Sequence, residues 1–435
     1  MNLDFSNIKK VFFIGIGGIG ISYLAKLAHA RGMEVSGVND DPSPKTLDPL
    51  RELGASIIMK DEYHELPEAD LYVYSDAWPY RGPEIIADAQ KSGKPVMSFF
   101  EATGAFSRNY DVIAVAGTHG KTTTTAMLAE IMIEAGLDPT VCVGSFVKNL
   151  GSNFREGKSK WFLVEADEFH RHFLNFDPVV TVITNIEADH FETYSNLSEI
   201  EDAFRELVQN TKSTVVANFS SDNLAVVCEG FNGEIKNYMD YLGEVPKLQV
   251  PGEHNRMDAA AAIAAGISIG ISIDSIRGSL SKFSGTWRRL EKKGETESGF
   301  LVYDDYAHHP TEVKASLSGL RELYPKGENK LVVLFQPHMY SRTKALFSEF
   351  IDAFDLADEV MILPIYFARE APDPDVSSEK LVKAILDHGT KVSFVPDFGM
   401  AKDQITSMNL TKGDVLVTMG AGDAYKVGDE LLGAL

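Results

Sequence analysis

Short apolar segments rich in β-branched residues alternate along the chain with longer stretches typical of helices. Continuous apolar strands with helices between them are typical of parallel sheets that are buried on both faces. The pattern therefore predicts an α/β fold of the doubly wound kind. The segments predicted as strands are 11–16, 71–75, 112–117, 162–166, 179–185, 213–218, 300–305, 330–336, 359–365, 392–396 and 414–420.

Two glycine-rich loops, each between a strand and a helix, mark the starts of two blocks of this chain. A polar stretch at 107–111 precedes the second loop, and the polar segment 292–299 predicts a linker before a third block. A chain of 435 residues also suggests about three domains. We therefore predict domains over residues 1–107, 108–293 and 294–435.

Composition narrows the class of protein. Hydrophobic residues are 44% and charged residues 24%, as in ordinary folded proteins. With 41 Lys and Arg against 63 Asp and Glu, the net charge of −22 disfavours non-specific binding to nucleic acid or to anionic membranes. The two cysteines favour a reducing cytoplasm over a disulfide scaffold. Neither a signal peptide nor a membrane span is predicted, so we expect a cytoplasmic protein.

The segment 112–125, VIAVAGTHGKTTTT, has the order strand, glycine loop, helix. Glycines in such a loop let backbone N–H groups converge on phosphate oxygens at the helix N-terminus. Lys121 would reach the β- and γ-phosphates, and the Thr122 hydroxyl would bind Mg²⁺. Val115 stands where the common pattern has glycine, so the loop is a variant. The predicted phosphate-binding residues are Gly117, Thr118, His119, Gly120, Lys121, Thr122 and Thr123.

Carboxylate and imidazole groups follow the next two strands of this block. Glu165 and Asp167 end one strand, and just beyond the other lie Asn185, Asp189 and His190. In doubly wound sheets, ligands bind at the carboxyl ends of the strands. These side chains can therefore hold a metal beside the triphosphate.

The N-terminal loop GIGGIG, at 15–20, matches a dinucleotide fingerprint, and acidic residues Asp40 and Asp41 follow about twenty positions later. A dehydrogenase is therefore one open interpretation. The loop itself predicts only that a diphosphate lies at a helix N-terminus. The P-loop argues against this interpretation, because an oxidoreductase does not need one.

A series of motifs spanning nearly the whole chain resembles the Mur ligase family. In chain order they are GIGGIG, GTHGKTTTT, EADE, TNIEADH, PGEHN, GTWRRLE, DDYAHHPTE, FQPHMYSRT and GAGD. The resemblance implies a Rossmann-like UDP-sugar domain, a central P-loop ATPase domain and a Rossmann-like C-terminal domain. It also implies that ATP, with Mg²⁺, phosphorylates the carboxylate of UDP-N-acetylmuramate, and that the amine of L-alanine attacks the acyl phosphate. The expected assembly is a monomer or homodimer.

The resemblance also implies roles for individual residues. The catalytic residues are Lys121, Glu165, His190 and Arg288, and the metal ligands are Thr122, Glu165 and His190. Beyond the P-loop, ATP contacts His254, Asn255, Arg288 and Asp304. The UDP-sugar contacts Gly17, Gly18, Ile19, Gly20, Asp40 and Ser75. The amino acid contacts Tyr306, His338 and Arg342, whose guanidinium suits an α-carboxylate.

Some positions depart from the family pattern. Asp258 stands where asparagine is common, Met339 where arginine is common, and Asn39 where serine is common; the stretch 214–254 is also short. Two further interpretations stay open: a recycling ligase of the same family that takes a tripeptide as the amine, and a sugar-nucleotide binding protein without activity. Intact Lys121 and Arg288 argue against the second of these.

Overall fold

The computed structural model describes residues 5–42, 44–368 and 370–433. Its first sheet has five parallel strands in the order β3-β2-β1-β4-β5. The strands are β1 Lys10–Ile14, β2 Glu34–Asn39, β3 Ser56–Met59, β4 Leu71–Tyr74 and β5 Val96–Ser98. The helices are α1 Ile19–Ala30, α2 Pro44–Glu52, α3 Trp78–Arg81, α4 Pro83–Lys91 and α5 Phe99–Ser107.

The second sheet has seven strands in the order β12-β11-β10-β6-β9-β7-β8, with only β8 antiparallel to its neighbour. The strands are β6 Asp111–Ala116, β7 Thr140–Val147, β8 Ser152–Arg155, β9 Trp161–Glu165, β10 Val180–Ile183, β11 Thr214–Ala217 and β12 Glu234–Asn237. The helices are α6 Lys121–Glu134, α7 Leu197–Asn210, α8 Asp222–Val227, α9 Glu253–Ser268 and α10 Ile273–Leu280.

The third sheet has six strands in the order β13-β14-β18-β15-β16-β17. The strands are β13 Glu291–Glu295, β14 Leu301–Asp305, β15 Leu331–Phe335, β16 Glu359–Ile362, β17 Val392–Phe394 and β18 Val415–Met419. The helices are α11 Pro310–Leu323, α12 Tyr340–Ala345, α13 Phe347–Ile351, α14 Ser378–His388, α15 Phe398–Ser407 and α16 Tyr425–Leu431. Along β15, Val333 and Phe335 pack in one buried cluster and Val332 and Leu334 in another, so this sheet is buried on both faces.

All eleven segments predicted as strands form strands, and the α/β fold is confirmed. The prediction of a linker at 292–299 is wrong. Residues Glu291–Glu295 form β13, which pairs antiparallel with β14 and has an irregularity between Lys292 and Gly294. Its polar sequence reflects its position, because charged residues on an edge strand discourage pairing with other chains.

The chain divides into two compact units. Unit 1 holds the described residues up to Ile186 together with Ser198–Pro246 and Ala259–Leu280, and so contains the first two sheets. Unit 2 holds Glu187–Leu197, Lys247–Asp258 and the described residues from Ser281 onward, and contains the third sheet. Among the described residues, no helix is both long enough and apolar enough to cross a membrane.

Within unit 1, α1 packs against β7 and β8, which joins the first sheet to the second. The Lys26 ammonium on α1 is buried and donates to Asn153 Oδ1 at 2.8 Å and to Ser152 Oγ at 3.2 Å. Asn153 in turn donates to the Ile19 carbonyl and the Ser22 hydroxyl, in the first turn of α1. The N-terminus of α1 is therefore held by a strand of the second sheet.

Candidate active site

The predicted phosphate loop joins β6 to α6 at the carboxyl edge of the second sheet. Gly117 has φ +130°, and a Cβ there would collide with the Thr184 hydroxyl. Gly120 caps the helix with φ +81°. Both positions therefore require glycine. The first N–H groups of α6 have no intrahelical acceptor, which makes this terminus suited to phosphate.

The segment after β10 fixes the shape of this loop. The Thr118 N–H donates to the Asn185 carbonyl at 3.1 Å, and the His119 N–H donates to Asn185 Oδ1 at 2.9 Å. The Asn185 amide donates back to the His119 carbonyl at 3.0 Å. Asn185 lies where the sequence places polar groups after the strand, but its role in holding the loop was not predicted.

The Lys121 ammonium already donates hydrogen bonds to groups of the protein. It donates to Glu168 Oε2 at 2.8 Å and Oε1 at 3.1 Å, and to the carbonyls of Gly117 and Thr118. Burial opposes its charge, but the neighbouring carboxylates, Glu168 first, raise the Lys121 pKa above its ordinary value. Glu168 is only 2% exposed. Glu168 is the last residue of the EADE motif, and its pairing with Lys121 is not predicted by the sequence pattern.

Thr122 and Glu165 lie together at the start of α6 and the end of β9. The Thr122 hydroxyl donates to Glu165 Oε1 at 2.9 Å, and the Gly144 N–H donates to Glu165 Oε2 at 2.7 Å. A Cβ on Gly144 would press on that carboxylate, so glycine is required for the close approach. A hydroxyl and a carboxylate are hard oxygen donors, and they fit Mg²⁺. The third predicted ligand, His190, belongs to unit 2 and has φ +53°.

The predicted UDP-sugar residues border the first glycine loop. The Gly17 N–H donates to Asn39 Oδ1 at 3.0 Å, and Gly18 caps α1, which begins at Ile19, without a side-chain cap. A Cβ on Gly20 would meet the Phe99 ring at 3.0 Å. The loop thus leaves the α1 N-terminus available for an anion.

The remaining two residues of that set lie after β2 and β4. Asp40 pairs with Arg81, with 3.1 Å between Oδ2 and Nη1. The Ser75 N–H donates to the Ile14 carbonyl at 3.0 Å, and the Ser75 carbonyl accepts from the Trp78 N–H. Because β1, β2 and β4 are adjacent, these groups share the carboxyl edge of the first sheet. Arg81 was not predicted.

In unit 2, Arg288 and Asp304 bond to each other. Arg288 has φ +57° and donates from Nε to Asp304 Oδ2 at 2.8 Å. Its two Nη atoms donate to the carbonyls of Gly420 and Gly422. Burial raises the pKa of Asp304 and outweighs the opposing effect of Arg288, while the Thr418 hydroxyl donates to its other oxygen. Their predicted contacts with phosphate and ribose stay predictions.

Asp305 is a structural residue that the sequence did not single out. It accepts from the Leu290 N–H at 2.9 Å, the Ala307 N–H at 2.8 Å and the Ser316 hydroxyl at 2.9 Å. Burial raises its pKa to about 6. It therefore ties the loops carrying Arg288 and Tyr306 to α11.

His254 and Asn255 begin α9 in unit 2. Asn255 Nδ2 lies 3.1 Å from His254 Nε2 and donates to the Pro251 carbonyl at 2.6 Å. Burial lowers the pKa of His254 to about 4, so this imidazole is neutral at physiological pH. Asp258, one of the departures, is 7% exposed and has a polar or electrostatic partner.

Tyr306, His338 and Arg342 form one cluster of unit 2 with His308. Arg342 Nη1 lies 3.1 Å from His338 Nδ1, and the His338 and His308 rings are 5.8 Å apart. His308 Nδ1 bonds to the Tyr306 carbonyl at 2.9 Å, and burial lowers the pKa of His308 to about 4. Arg342 also pairs with Asp189, which the sequence pattern predicts to lie near the metal. Met339 is buried at the start of α12.

Family models match most of the chain. The Mur ligase family catalytic domain matches residues 10–111, the Mur ligase middle domain residues 115–237, and the Mur ligase glutamate ligase domain residues 288–422. Each match falls on one of the three sheets.

Curated relatives match over their whole length. The UDP-N-acetylmuramate–L-alanine ligase of Solidesulfovibrio magneticus is 39% identical, covering 98% of each chain. That of Agathobacter rectalis is 37% identical, covering 99% of each. Among solved structures, the UDP-N-acetylmuramate–alanine ligase of Thermotoga maritima has a TM-score of 0.79 at 28% identity, covering 98% of this chain and 99% of that one. A murein peptide ligase of Psychrobacter arcticus, with a TM-score of 0.71 at 23% identity and 98% coverage of each chain, shares the fold.

Proposed function

The chain belongs to the Mur ligase family, and from this membership we propose that it joins L-alanine to the carboxylate of UDP-N-acetylmuramate with consumption of ATP. The observation that carries the proposal is the phosphate loop, where Lys121, Thr122 and Glu165 lie together at the α6 N-terminus. Full-length relatives named for this reaction support it. The dehydrogenase interpretation of GIGGIG is not needed, because the first family domain includes that loop.

The proposed reaction needs a site that positions and neutralises phosphate groups, and it does not need a nucleophilic side chain. A carboxylate is a poor electrophile, and transfer of the γ-phosphoryl group converts its oxygen into a leaving group. Phosphoryl transfer depends on positioning and charge neutralisation more than on covalent catalysis. The Lys121 ammonium and the α6 N-terminus supply positive charge at the phosphates. The amine then attacks the acyl phosphate, and phosphate leaves.

We propose that Thr122 and Glu165 hold Mg²⁺, with His190 as a further ligand. When bound, this cation supplies a Lewis acid that neutralises charge on the phosphoryl oxygens. Glu165 is oriented for this by the Gly144 N–H, which occupies one of its oxygens. His254, Asn255, Arg288 and Asp304 are the proposed nucleotide contacts of unit 2.

We propose that the diphosphate of the sugar nucleotide binds at the N-terminus of α1. The first N–H groups of α1 have no intrahelical acceptor, and Gly17 and Gly18, just before them, carry no side chain that would block the phosphates. Asp40 and Ser75 lie on the same sheet edge and can contact the uridine or sugar.

We propose that the amino acid binds at the cluster of Tyr306, His338 and Arg342. A guanidinium can hold an α-carboxylate by two parallel hydrogen bonds and leaves the amine free to attack. A small pocket separates alanine from glycine or serine by only about 1–3 kcal/mol, so competition among these amines is expected.

Phosphate release from ATP tests the proposal. The enzyme is given Mg²⁺ and UDP-N-acetylmuramate, with L-alanine, glycine, L-serine or L-Ala-γ-D-Glu-meso-diaminopimelate added separately. Release that requires both the sugar nucleotide and L-alanine supports the proposal. Release with the tripeptide and not with L-alanine would identify a recycling ligase, and no release with any amine would favour a binding protein.

A further inference from the structure

Asp189 and Arg342 form a buried ion pair within unit 2. Nε lies 2.9 Å from Oδ1 and Nη2 lies 3.2 Å from Oδ2, so the carboxylate bonds one edge of the guanidinium at two points. The two residues are 6% and 4% exposed. A buried ion pair of this kind leaves an uncompensated charge when either partner is removed, so each residue depends on the other.

The turn that carries Asp189 is itself fixed. The carbonyl of His190 accepts from the N–H groups of Thr193 at 2.7 Å and Tyr194 at 3.0 Å. Phe191 packs against the buried cluster of the third sheet. The Asp189 carboxylate is thus presented from a short, anchored turn, and it limits the orientations open to Arg342.

The contacts of Arg342 leave part of its guanidinium able to donate hydrogen bonds to a ligand. A guanidinium has five N–H hydrogens. Asp189 accepts one from Nε and one from Nη2, and His338 Nδ1 lies 3.1 Å from Nη1. The other Nη1 hydrogen has only a long contact of 3.5 Å, with the His338 carbonyl. Within the described part of the chain, one Nη2 hydrogen has no acceptor. A second carboxylate can accept this hydrogen and replace the long contact on Nη1, on an edge that Asp189 does not occupy.

We propose that Asp189 is a positioning residue for the amino-acid substrate: it holds the Arg342 guanidinium so that its Nη1 and Nη2 hydrogens receive the α-carboxylate. The inference rests on the proposed function. The Asp189–Arg342 pair is neutral overall, so hydrogen-bond geometry, more than net charge, then recognises the substrate. Recognition consequently requires a carboxylate at the correct distance from the amine, and this disfavours amines without one.

The test compares D189N, R342K and a matched control in the full chain. D189N keeps the side-chain shape but loses the charge and one acceptor, while R342K keeps the charge but loses the planar fork. The control is D358N, which disrupts the pair of Asp358 with Arg321 (2.7 Å) elsewhere in unit 2. Initial rates of phosphate release are measured against L-alanine, at saturating ATP and sugar nucleotide, and then against ATP. Urea unfolding of each variant is measured in parallel.

We expect the KM for L-alanine to rise about tenfold or more in D189N, with a smaller change in kcat and no change in the KM for ATP. D358N should lose stability without changing either KM. A KM for L-alanine within twofold of wild type in D189N would overturn the inference. If D189N does not fold, the test rests on R342K. An unchanged KM for L-alanine in R342K would contradict recognition of the α-carboxylate by a fixed, planar guanidinium. If phosphate release by the wild-type enzyme does not depend on L-alanine, the proposed function itself is overturned, before any variant is made.

Discussion

We expect Glu168 to compete with ATP for Lys121, and E168Q tests this. The Lys121 ammonium has three hydrogens, and in the structure Glu168 and two loop carbonyls accept them. Phosphate oxygens can bond Lys121 only by displacing at least one of these acceptors. Glu168 is the charged one, so its attraction for Lys121 opposes ATP binding.

The burial of the Lys121–Glu168 pair determines the expected free-energy effect of E168Q. The side chains of Lys121 and Glu168 are 13% and 3% exposed. Breaking a buried pair from one side costs about 3–5 kcal/mol. Glutamine keeps one acceptor oxygen and Lys121 keeps its carbonyls, so we expect E168Q to destabilise the ligand-free protein by about 2 kcal/mol. In wild type, ATP must overcome this stabilisation of Lys121 by Glu168 when it binds. Because E168Q lacks it, we expect the Kd for ATP to fall by up to about 30-fold.

Titration calorimetry with ATP and Mg²⁺ gives the Kd, and urea unfolding gives the stability of the ligand-free protein. E206Q is the control, because it removes a carboxylate from the exposed Arg171–Glu206 pair of the same unit. That change should cost under about 1 kcal/mol and leave ATP binding unchanged. A folded E168Q that binds ATP no more tightly than wild type would refute the competition.

Three further outcomes are expected. G117A places a Cβ against the Thr184 hydroxyl at φ +130°; it should abolish ATP binding by calorimetry, and unchanged binding would contradict the loop geometry. Burial raises the pKa of Glu130 on α6 to about 7, so the folded state binds the extra proton and stability falls as pH rises from about 4.5 to 7. E130Q should therefore be more stable than wild type by about 1 kcal/mol at pH 8 and by less at pH 5 in urea unfolding, whereas an equal difference at both pH values would contradict the assignment. R288K cannot reproduce the bonds to Asp304 and the two glycine carbonyls, so it should lose about 1–3 kcal/mol and raise the KM for ATP, and wild-type values of both would argue against this role.

Periodicity predicted most of the buried strands because a central parallel strand is apolar on both faces. It missed the interior strands β2 and β7, each of which contains a glycine. It also missed most of the edge strands, such as β3 and β13, whose burial is incomplete and whose sequences are mixed or polar. The polar sequence of β13 therefore predicts a linker in place of a strand. Local sequence does not encode that Glu291–Glu295 finds a partner in β14.

Local motifs located the backbone of the candidate site but not the partners of its charged groups. GTHGKT predicts a loop at a helix N-terminus, and the structure has that loop. That Lys121 pairs with Glu168, or Arg342 with Asp189, depends on contacts between residues 47 and 153 positions apart. Such pairings are set by tertiary packing, and one sequence without relatives does not reveal them.

Activation of the carboxylate as an acyl phosphate is the chemical core of the proposed function, and an isotope experiment tests this step. UDP-N-acetylmuramate labelled with ¹⁸O in its carboxylate is incubated with the enzyme, ATP, Mg²⁺ and L-alanine, and the released phosphate is examined by mass spectrometry. We expect one ¹⁸O from the carboxylate to appear in the phosphate, together with an L-alanyl amide of the sugar nucleotide. Amide formation with no label in the phosphate would contradict it.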